Sequence, residues 1–545
     1  MKWIAVIFLI GFVFNCDAQK TEAPKLVVGI VVDQMCYEYL YRYQDKFSEG
    51  GFRLLMDEGT NCRNANYSFI PTYTGPGHAS IYTGTTPSNH GIVGNDWFDR
   101  AKGASVNCVE DSSVVPVGTV SEYGYFSPRH LKANTITDQL KLTYPESKVI
   151  SMSIKNRGAI IPGGHLSDGS YWYDYATGDF ITSSFFKKEL PEWVIAFNEE
   201  KFVEESYMEE WNTLLDISSY TESGPDDSPY EHVFPGKTAP TFPYNLAEMT
   251  NGMVNYSLYT YTPFCNTYLT NFAIASIENE KLGKDAKTDM LCISYSSTDI
   301  LGHSFGPYSV EIEDMYIRLD LEIARLIKEL NRKVGEGEYT LFLTADHAVV
   351  PVPQYLTDNG LPGGYFFADT NWYTLRQSIM GKYGEDLIVA TPNLNIYLDH
   401  QKIEEKSLDR LEIANYISSI VQNWKGVKRV FTAQQLYNSS IGDEWMDMVR
   451  KGFHHAESGD LIVILEPGYL PKSMDSELAR KGTSHGSAYA YDTHVPLLLY
   501  GKGIPIKEVF RNISITDMAA TLTHILNLQN PNALTGRPIL EVLNK

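Results

Sequence analysis

The sequence predicts an α/β fold in which a mostly parallel central sheet is covered by helices on both faces. Runs rich in valine and isoleucine recur and are apolar at consecutive positions, as strands buried on both faces are. These runs are KLVVGIVV at 25–32, KVISMSI at 148–154, DMLCISY at 289–295, YTLFLTA at 339–345, DLIVILE at 460–466 and VPLLLYG at 495–501. From Ile312 to Leu330 the apolar residues have helical spacing, and YTLFLTA follows shortly afterwards. A strand, a helix and a strand in that order indicate parallel strands joined by a crossover.

Two long stretches interrupt this alternation and predict insertions into one catalytic domain that spans residues 19–545. Residues 160–285 are rich in tyrosine, tryptophan, proline and serine, with few periodic patterns, so we expect a cap over the site. Residues 350–455, with a helical pattern near 407–422, predict a second inserted lobe.

Residues 1–18 have the composition of a signal peptide. Lys2 precedes an apolar run at 3–14, and Ala18 offers a small residue for cleavage. A lipoprotein anchored through Cys16 is the alternative, which the Phe-Asn pair before that cysteine disfavours. No later stretch reaches the roughly 18 to 20 consecutive apolar residues of a membrane span. We therefore expect a periplasmic or secreted protein with no membrane span.

The net charge of −22, from 45 basic and 67 acidic residues, argues against nucleic acid as a partner. Five cysteines remain after signal removal: Cys36, Cys62, Cys108, Cys265 and Cys292. An odd number leaves at least one unpaired, and Cys292 is expected to be a buried thiol within a strand. Pairing of Cys62 with Cys108 stays open at this point.

Acidic and histidine side chains stand where predicted strands run out into loops. They are Asp33 after KLVVGIVV, Asp299 and His303 in SSTDILGHSFG, Asp346 and His347 after the strand YTLFLTA, and His485 in GTSHGS. In open sheets of parallel strands, sites gather at the carboxyl ends of the strands. Three carboxylates and three imidazoles are the ligand set for two divalent metals in one site, and zinc suits them best. The sequence therefore predicts a metal-dependent hydrolase.

The segment IPTYTGPGHASIYTG offers a nucleophile for such a site. Thr72 and Thr74 precede a Gly-Pro-Gly turn, after which a helix is expected. A hydroxyl at a helix N-terminus could coordinate a metal, lose its proton and attack phosphorus. For the threonines taken alone, a role as helix caps is favoured over a role as nucleophile. His78 and His90 are expected to be structural or to support the metal ligands.

The order of these motifs resembles the zinc-dependent phosphomonoesterases of the alkaline phosphatase superfamily. The motifs extend over nearly the whole mature chain. In chain order they are Asp33, Thr74, GND, Lys-x-Arg, TDxxGHxFGP, ADH and GTxH. The motifs are most similar to the flavobacterial, phosphate-irrepressible type, which uses threonine as nucleophile. This resemblance implies an alkaline phosphatase-like fold, phosphate monoesters as small-molecule substrates and a phosphothreonine intermediate. We expect a monomer with two Zn²⁺ ions.

The resemblance also implies roles for individual residues. Thr74 would be the nucleophile. Asp299, His303 and His485 would hold zinc 1, and Asp33, Asp346 and His347 would hold zinc 2 together with the Thr74 oxygen. Asn95, Lys155 and Arg157 would contact the phosphoryl oxygens, Arg157 as a fork and Lys155 as a point charge.

Three alternatives compete with the monoesterase. A phosphodiesterase or nucleotide pyrophosphatase on the same scaffold would share the metals, Thr74 and Asn95, but a monoester dianion is favoured by the extra cations Lys155 and Arg157. A sulfatase is disfavoured, because neither Cys36 nor Cys62 lies in the required C/S-x-P-x-R context. A secreted binding protein with purely structural metals is disfavoured, because structural zinc sites are closed sets of four ligands rich in cysteine.

Overall fold

The computed structural model describes residues 22–438 and 443–543, so the predicted signal peptide at 1–18, with Cys16, lies outside the described residues. A sheet of ten strands forms the centre of the molecule. In spatial order they are Lys507–Val509, Thr60–Cys62, Leu497–Gly501, Tyr339–Thr344, Leu26–Val32, Asp289–Tyr295, Val149–Ser153, Gly169–Tyr173, Phe180–Ser183 and Pro116–Val117. The five strands from Tyr339–Thr344 to Gly169–Tyr173 are parallel. The predicted α/β class with a mostly parallel sheet is confirmed.

The register of the central strands brings their carboxyl ends to one edge of the sheet. Val31 lies opposite Ser294 on one side and Thr344 on the other, and Ser294 in turn lies opposite Ser153. All seven residues of Leu26–Val32 are buried, so both faces of this strand are covered. Residues that follow these four strands therefore start close together.

Helices cover the sheet and connect its strands. The helices of eight or more residues are Thr74–Thr83, Ile136–Thr143, Asn156–Gly163, Glu192–Glu199, Pro263–Asn279, Ser297–Phe305, Val310–Leu330, Ala368–Tyr383, Arg410–Val421, Glu444–Gly452 and Asp517–Ile525. The helix expected from Ile312 to Leu330 begins at Val310. Ser309 caps it, because its hydroxyl oxygen accepts a hydrogen bond of 3.2 Å from the backbone N–H of Ile312.

The region at 160–285, expected as a cap, contributes directly to the central sheet. Its strands Gly169–Tyr173 and Phe180–Ser183 extend the sheet at one side. Its longest helix, Pro263–Asn279, packs Phe272 against Phe180, with ring centroids 3.9 Å apart. The division of the chain into a core and insertions remains a prediction.

Residues 364–472, called the inserted lobe below, contain a second sheet. Its four antiparallel strands are Ile388–Ala390, Asn395–Leu398, Val427–Thr432 and Leu461–Leu465. A separate apolar core that includes Leu375, Ile413 and Ile417 lies behind them. The run DLIVILE thus belongs to this antiparallel sheet. The expectation that it joins the parallel sheet is wrong, because a short apolar run does not reveal its pairing partner.

The five cysteines at positions 36, 62, 108, 265 and 292 are all buried free thiols, so Cys62 and Cys108 are not paired in this structure. Among the residues that the structure describes, we find no helix with the length and hydropathy to cross a membrane.

Candidate active site

Asp33, Asp346 and His347 form a first ligand cluster at the ends of two adjacent central strands. Each offers one ligand atom, and these atoms lie within 4.8 Å of one another. His347 Nε2 is 3.4 Å from Asp33 Oδ1 and 3.6 Å from Asp346 Oδ2. All three side chains are fully buried.

Asp299, His347 and His485 form a second ligand cluster, again with their ligand atoms within 4.8 Å of one another. His303 also reaches Asp299, since its Nε2 lies 3.2 Å from Asp299 Oδ1. The structure therefore brings all six sequence-predicted ligands to one place. The predicted ligands were divided into two separate sets of three, whereas in the structure His347 lies in both clusters.

The backbone fixes which nitrogen of each imidazole faces the clusters. Nδ1 donates to a carbonyl oxygen in all three rings: His303 to Thr483 at 3.0 Å, His347 to Ala348 at 3.0 Å and His485 to Thr72 at 2.7 Å. A ring whose Nδ1 carries the proton presents the lone pair of Nε2, which is the form that binds metals.

Burial and charge set the protonation of the clusters. Burial lowers the pKa of His347 to about 4 and that of His485 well below its ordinary value. Burial and the Asp33 carboxylate raise the pKa of Asp346 well above its ordinary range. Burial alone would raise the pKa of Asp299, but the nearby His303 and Lys155 side chains hold it well below its ordinary range. Neutral imidazoles beside crowded carboxylates suit a divalent cation.

Unpaired polar atoms test whether metals fit these residues. Within residues 22–438 and 443–543, Asp33 Oδ1, Asp346 Oδ2, His347 Nε2 and Thr74 Oγ1 are buried without a hydrogen-bond partner. Buried polar atoms normally have partners, because an unsatisfied one costs about 1–3 kcal/mol. Four such atoms at one place, all of metal-ligand type, fit bound metal ions.

Thr74 is the first residue of the helix Thr74–Thr83, which runs against the first ligand cluster. The helix can approach because Gly77 has no side chain: a Cβ there would lie 2.2 Å from the backbone oxygen of Asp346. The Thr74 side chain is buried, and its hydroxyl stands at the positive end of the helix dipole. This position favours an anion at the hydroxyl.

Asn95 and His78 hold the first turn of that helix. Asn95 Oδ1 accepts a hydrogen bond of 2.8 Å from the Gly75 N–H, which leaves the Asn95 amide NH₂ free to donate elsewhere. Nδ1 of His78 donates to Thr74 O at 2.9 Å, and its Nε2 lies 2.9 Å from Ser294 Oγ. His78 thus supports the helix, in agreement with its expected structural role.

Lys155 connects the two ligand clusters. Its Nζ lies 2.8 Å from Asp33 Oδ2 and also contacts Asp299 Oδ2. Burial would lower the pKa of Lys155, yet Asp299 and Asp33 raise it above its ordinary value. Arg157 follows in the first turn of the helix Asn156–Gly163, and its Nε is buried with no hydrogen-bond partner among the described residues. One cation therefore lies between the carboxylates, and a second follows it two residues later in the chain.

Gln34 is a site residue that the sequence analysis missed. Its backbone has φ of 68°, which is uncommon for a residue with a side chain. In this conformation Nε2 donates to Asp299 Oδ1 at 2.6 Å, and the backbone N–H donates to Asp346 Oδ1 at 3.2 Å. Gln34 thus orients one carboxylate of each cluster. The only signal in the sequence is its place directly after Asp33.

The chain is similar to several characterised proteins over its full length. It is 39% identical to alkaline phosphatase PafA of Elizabethkingia meningoseptica over 554 residues, 100% of this chain and 99% of that protein. It is 40% identical to a protein named calcium-transporting ATPase of Myroides odoratus, over 97% of this chain and 96% of that protein. It is 37% identical to alkaline phosphatase PhoV of Synechococcus elongatus, over 100% of each chain.

The fold agrees with these similarities. The crystal structure of wild-type PafA superposes with a TM-score of 0.92 and covers 96% of this chain and 99% of that one. The family model of type I phosphodiesterase / nucleotide pyrophosphatase matches residues 27–488. The chain therefore belongs to the type I phosphodiesterase / nucleotide pyrophosphatase family and, within it, to the PafA-type alkaline phosphatases.

Proposed function

We propose that this alkaline phosphatase hydrolyses phosphate monoesters through a covalent phosphothreonine formed on Thr74, with two zinc ions as cofactors. One observation carries the proposal: the Thr74 hydroxyl is buried, has no hydrogen-bond partner among the described residues and stands at a helix N-terminus beside the ligand clusters. A hydroxyl in that position is unfavourable for stability and suited to a nucleophile.

Asp33, Asp346 and His347, with the Thr74 oxygen, would hold one ion. Asp299, His303 and His485 would hold the other, with His347 at the boundary between the two clusters. When bound, the two ions supply Lewis-acid stabilisation of the attacking and leaving oxygens. The mixed carboxylate and imidazole ligands, without cysteine, are those of catalytic zinc sites.

The chain's own residues account for the chemistry at phosphorus. The Thr74 hydroxyl loses its proton and its oxygen forms a bond to phosphorus while the ester P–O bond breaks. The alcohol leaves with that electron pair and takes up one proton, which balances the proton lost by Thr74. Water then attacks the phosphothreonine, which releases inorganic phosphate and restores the Thr74 hydroxyl. Asn95 would donate its free NH₂ to a phosphoryl oxygen, and Arg157 would bind phosphoryl oxygens through its guanidinium.

The two cations support the monoesterase over the phosphodiesterase alternative. A monoester is a dianion, whereas a diester carries one charge, so Lys155 and Arg157 would favour the monoester. The buried contacts of the Lys155 ammonium with Asp33 and Asp299 support this choice, because a cation at the protein surface would not distinguish the two substrates.

The test compares hydrolysis of nitrophenyl phosphate and bis-nitrophenyl phosphate by the zinc-loaded protein, before and after chelation. We expect a large preference for the monoester, and loss of both activities on chelation that added zinc restores. Preference for the diester would instead identify a phosphodiesterase. Activity that is insensitive to chelation would contradict the metal assignment.

Export remains part of the proposal. We infer that residues 1–18 direct the chain to the periplasm or the medium. Sequencing of the mature N-terminus should give Gln19 as the first residue. Lipid attached at Cys16 would support the alternative.

A further inference from the structure

A cavity adjoins the proposed site between Tyr73 and the inserted lobe. It has a volume of about 60 Å³, and its walls include Tyr73, Val93, Leu394, Ile464, Leu470 and His485. A bound water needs about 10–15 Å³ of such space, so the cavity has room for roughly four waters. This is comparable to the volume of a short alkyl chain or one aromatic ring.

The position of the cavity relates it to the leaving group. Tyr73 directly precedes the proposed nucleophile Thr74, and its ring stands edge-on to the ring of His485, with centroids 5.4 Å apart. His485 belongs to the second ligand cluster. Because Thr74 is assigned to the first cluster, an in-line displacement would put the leaving oxygen on the side of the second. A cavity that begins at these two side chains therefore opens where the alcohol part of the ester would depart.

The lobe side of the cavity is built with strained backbone. Asn393 and Leu394 have φ of 52° and 60°, a region that leucine rarely adopts. The Asn393 side chain holds this turn against the catalytic core, because its Nδ2 donates to the backbone oxygen of Asp96 at 2.6 Å. Asp96 directly follows Asn95. The turn that lines the cavity is thus fastened to the loop that carries a proposed phosphate-binding residue.

We propose that this cavity is a subsite for the leaving group and takes the apolar alkyl or aryl part of a phosphate monoester. The inference rests on the proposed function and names the substrate class: monoesters of small apolar or aromatic alcohols. Val93, Ile464 and Leu470 are almost fully buried, at 7%, 6% and 4% exposure, and would make the apolar contacts.

Binding of non-hydrolysable phosphonates to the zinc-loaded full chain tests the proposal. Dissociation constants for methyl-, ethyl-, propyl-, butyl- and hexylphosphonate are measured by calorimetry, with inorganic phosphate as reference. Burial of one methylene tightens binding by up to about fourfold. We expect affinity to rise from methyl to about butyl and then level off as the cavity fills.

Two matched variants test whether the gain in affinity with alkyl length arises in this cavity. Ile464→Ala should weaken butylphosphonate several-fold and leave methylphosphonate unchanged. Ile417→Ala removes the same atoms from the lobe core, away from the cavity walls, and should change neither constant.

Dissociation constants that stay the same from methyl- to butylphosphonate in the unmodified protein would overturn the proposed subsite. Equal weakening of methyl- and butylphosphonate by Ile464→Ala would also overturn it. Failure of inorganic phosphate and every phosphonate to bind, together with no hydrolysis of nitrophenyl phosphate, would overturn the proposed function itself.

Discussion

The imidazole rings of His347 and His485 stack face to face, with centroids 3.4 Å apart and planes 12° from parallel. His347 follows a central strand directly after Asp346, whereas His485 comes from a loop near the end of the chain. Their contact joins the two ligand clusters into one continuous site. A change on either ring should therefore be felt in both clusters.

Replacement of the proposed nucleophile tests the covalent step. Thr74→Ala should lower kcat for nitrophenyl phosphate by at least about a thousandfold, because no other hydroxyl is proposed to attack phosphorus. Zinc content should stay close to that of the unmodified protein. Thr83→Ala is the matched control, since Thr83 ends the same helix. Its hydroxyl donates to Ala79 O at 2.6 Å and accepts from the Thr85 N–H at 3.4 Å, away from the ligand clusters. Retained turnover in Thr74→Ala would exclude Thr74 as nucleophile.

The position of His347 in both clusters predicts an unequal effect of histidine replacements on metal content. His303→Ala should leave about half of the zinc after dialysis, because His303 contacts only the Asp299 cluster. His347→Ala should retain clearly less zinc than His303→Ala, because His347 lies in both clusters. Elemental analysis of the dialysed proteins measures both, with His494→Ala as a control that stacks on Tyr37. Equal losses from His303→Ala and His347→Ala would argue against a shared ligand.

That these acidic and histidine side chains lie close together could be predicted, because each follows a buried strand or stands in a compact motif. Asp33 and Asp346 come after strands that are buried at every position, and parallel strands of that kind end at the same edge of the sheet. The helix from Val310 was also predictable, since its apolar positions have regular spacing. In these places the local pattern and the tertiary structure agree.

Features that depend on distant pairing could not be predicted in this way. The run at 460–466 looks like a parallel strand but pairs within the inserted lobe, because residues far along the chain decide its neighbours. Gln34 depends on an unusual φ and on partners about 265 and 312 residues away. The cavity at Tyr73 requires the lobe to pack beside the nucleophile helix, and no motif encodes that contact.

Removal of the Arg157 guanidinium should change the preference for monoesters. Arg157→Ala should lower kcat/KM for nitrophenyl phosphate about 10- to 100-fold, because loss of a hydrogen bond to a charged group has an effect of about that size. It should lower kcat/KM for bis-nitrophenyl phosphate far less, because that substrate carries one charge fewer. Arg129→Ala, which removes a cation paired with Asp111, should affect neither rate constant. Equal losses on both substrates would remove the support that Arg157 lends to the monoesterase.

A buried acidic group away from the site predicts how stability depends on pH. Glu311, in the first turn of the helix Val310–Leu330, is fully buried, and burial raises its pKa to about 8. The Tyr244 hydroxyl donates a hydrogen bond of 2.5 Å to Glu311 Oε1, and the Lys237 ammonium lies over the Tyr244 ring. The other charged groups that act on Glu311 are the carboxyls of Glu231, Asp226 and Asp314. Burial and Glu311 likewise raise the pKa of Glu231 to about 11.

Because the pKa of Glu311 is raised on folding, the folded protein binds the proton more tightly than the unfolded chain. The stability that this proton contributes is complete below the ordinary pKa of glutamate and is lost as pH rises through about 8. Glu311→Gln keeps the shape of the protonated form and has no proton to lose. Since a tenfold change in proton affinity is worth about 1.4 kcal/mol, the variant should be more stable than the unmodified protein by about 2–4 kcal/mol at pH 9.

At pH 5 the two proteins should unfold at nearly the same temperature. Unfolding followed by circular dichroism between pH 5 and pH 9 measures the difference. Glu329→Gln, on the same helix but paired with Arg332 near the surface, is the control and should show no gain at pH 9. If Glu311→Gln instead destabilised the protein equally at both pH values, the carboxyl would be acting as a charged hydrogen-bond acceptor, and the raised pKa would be wrong.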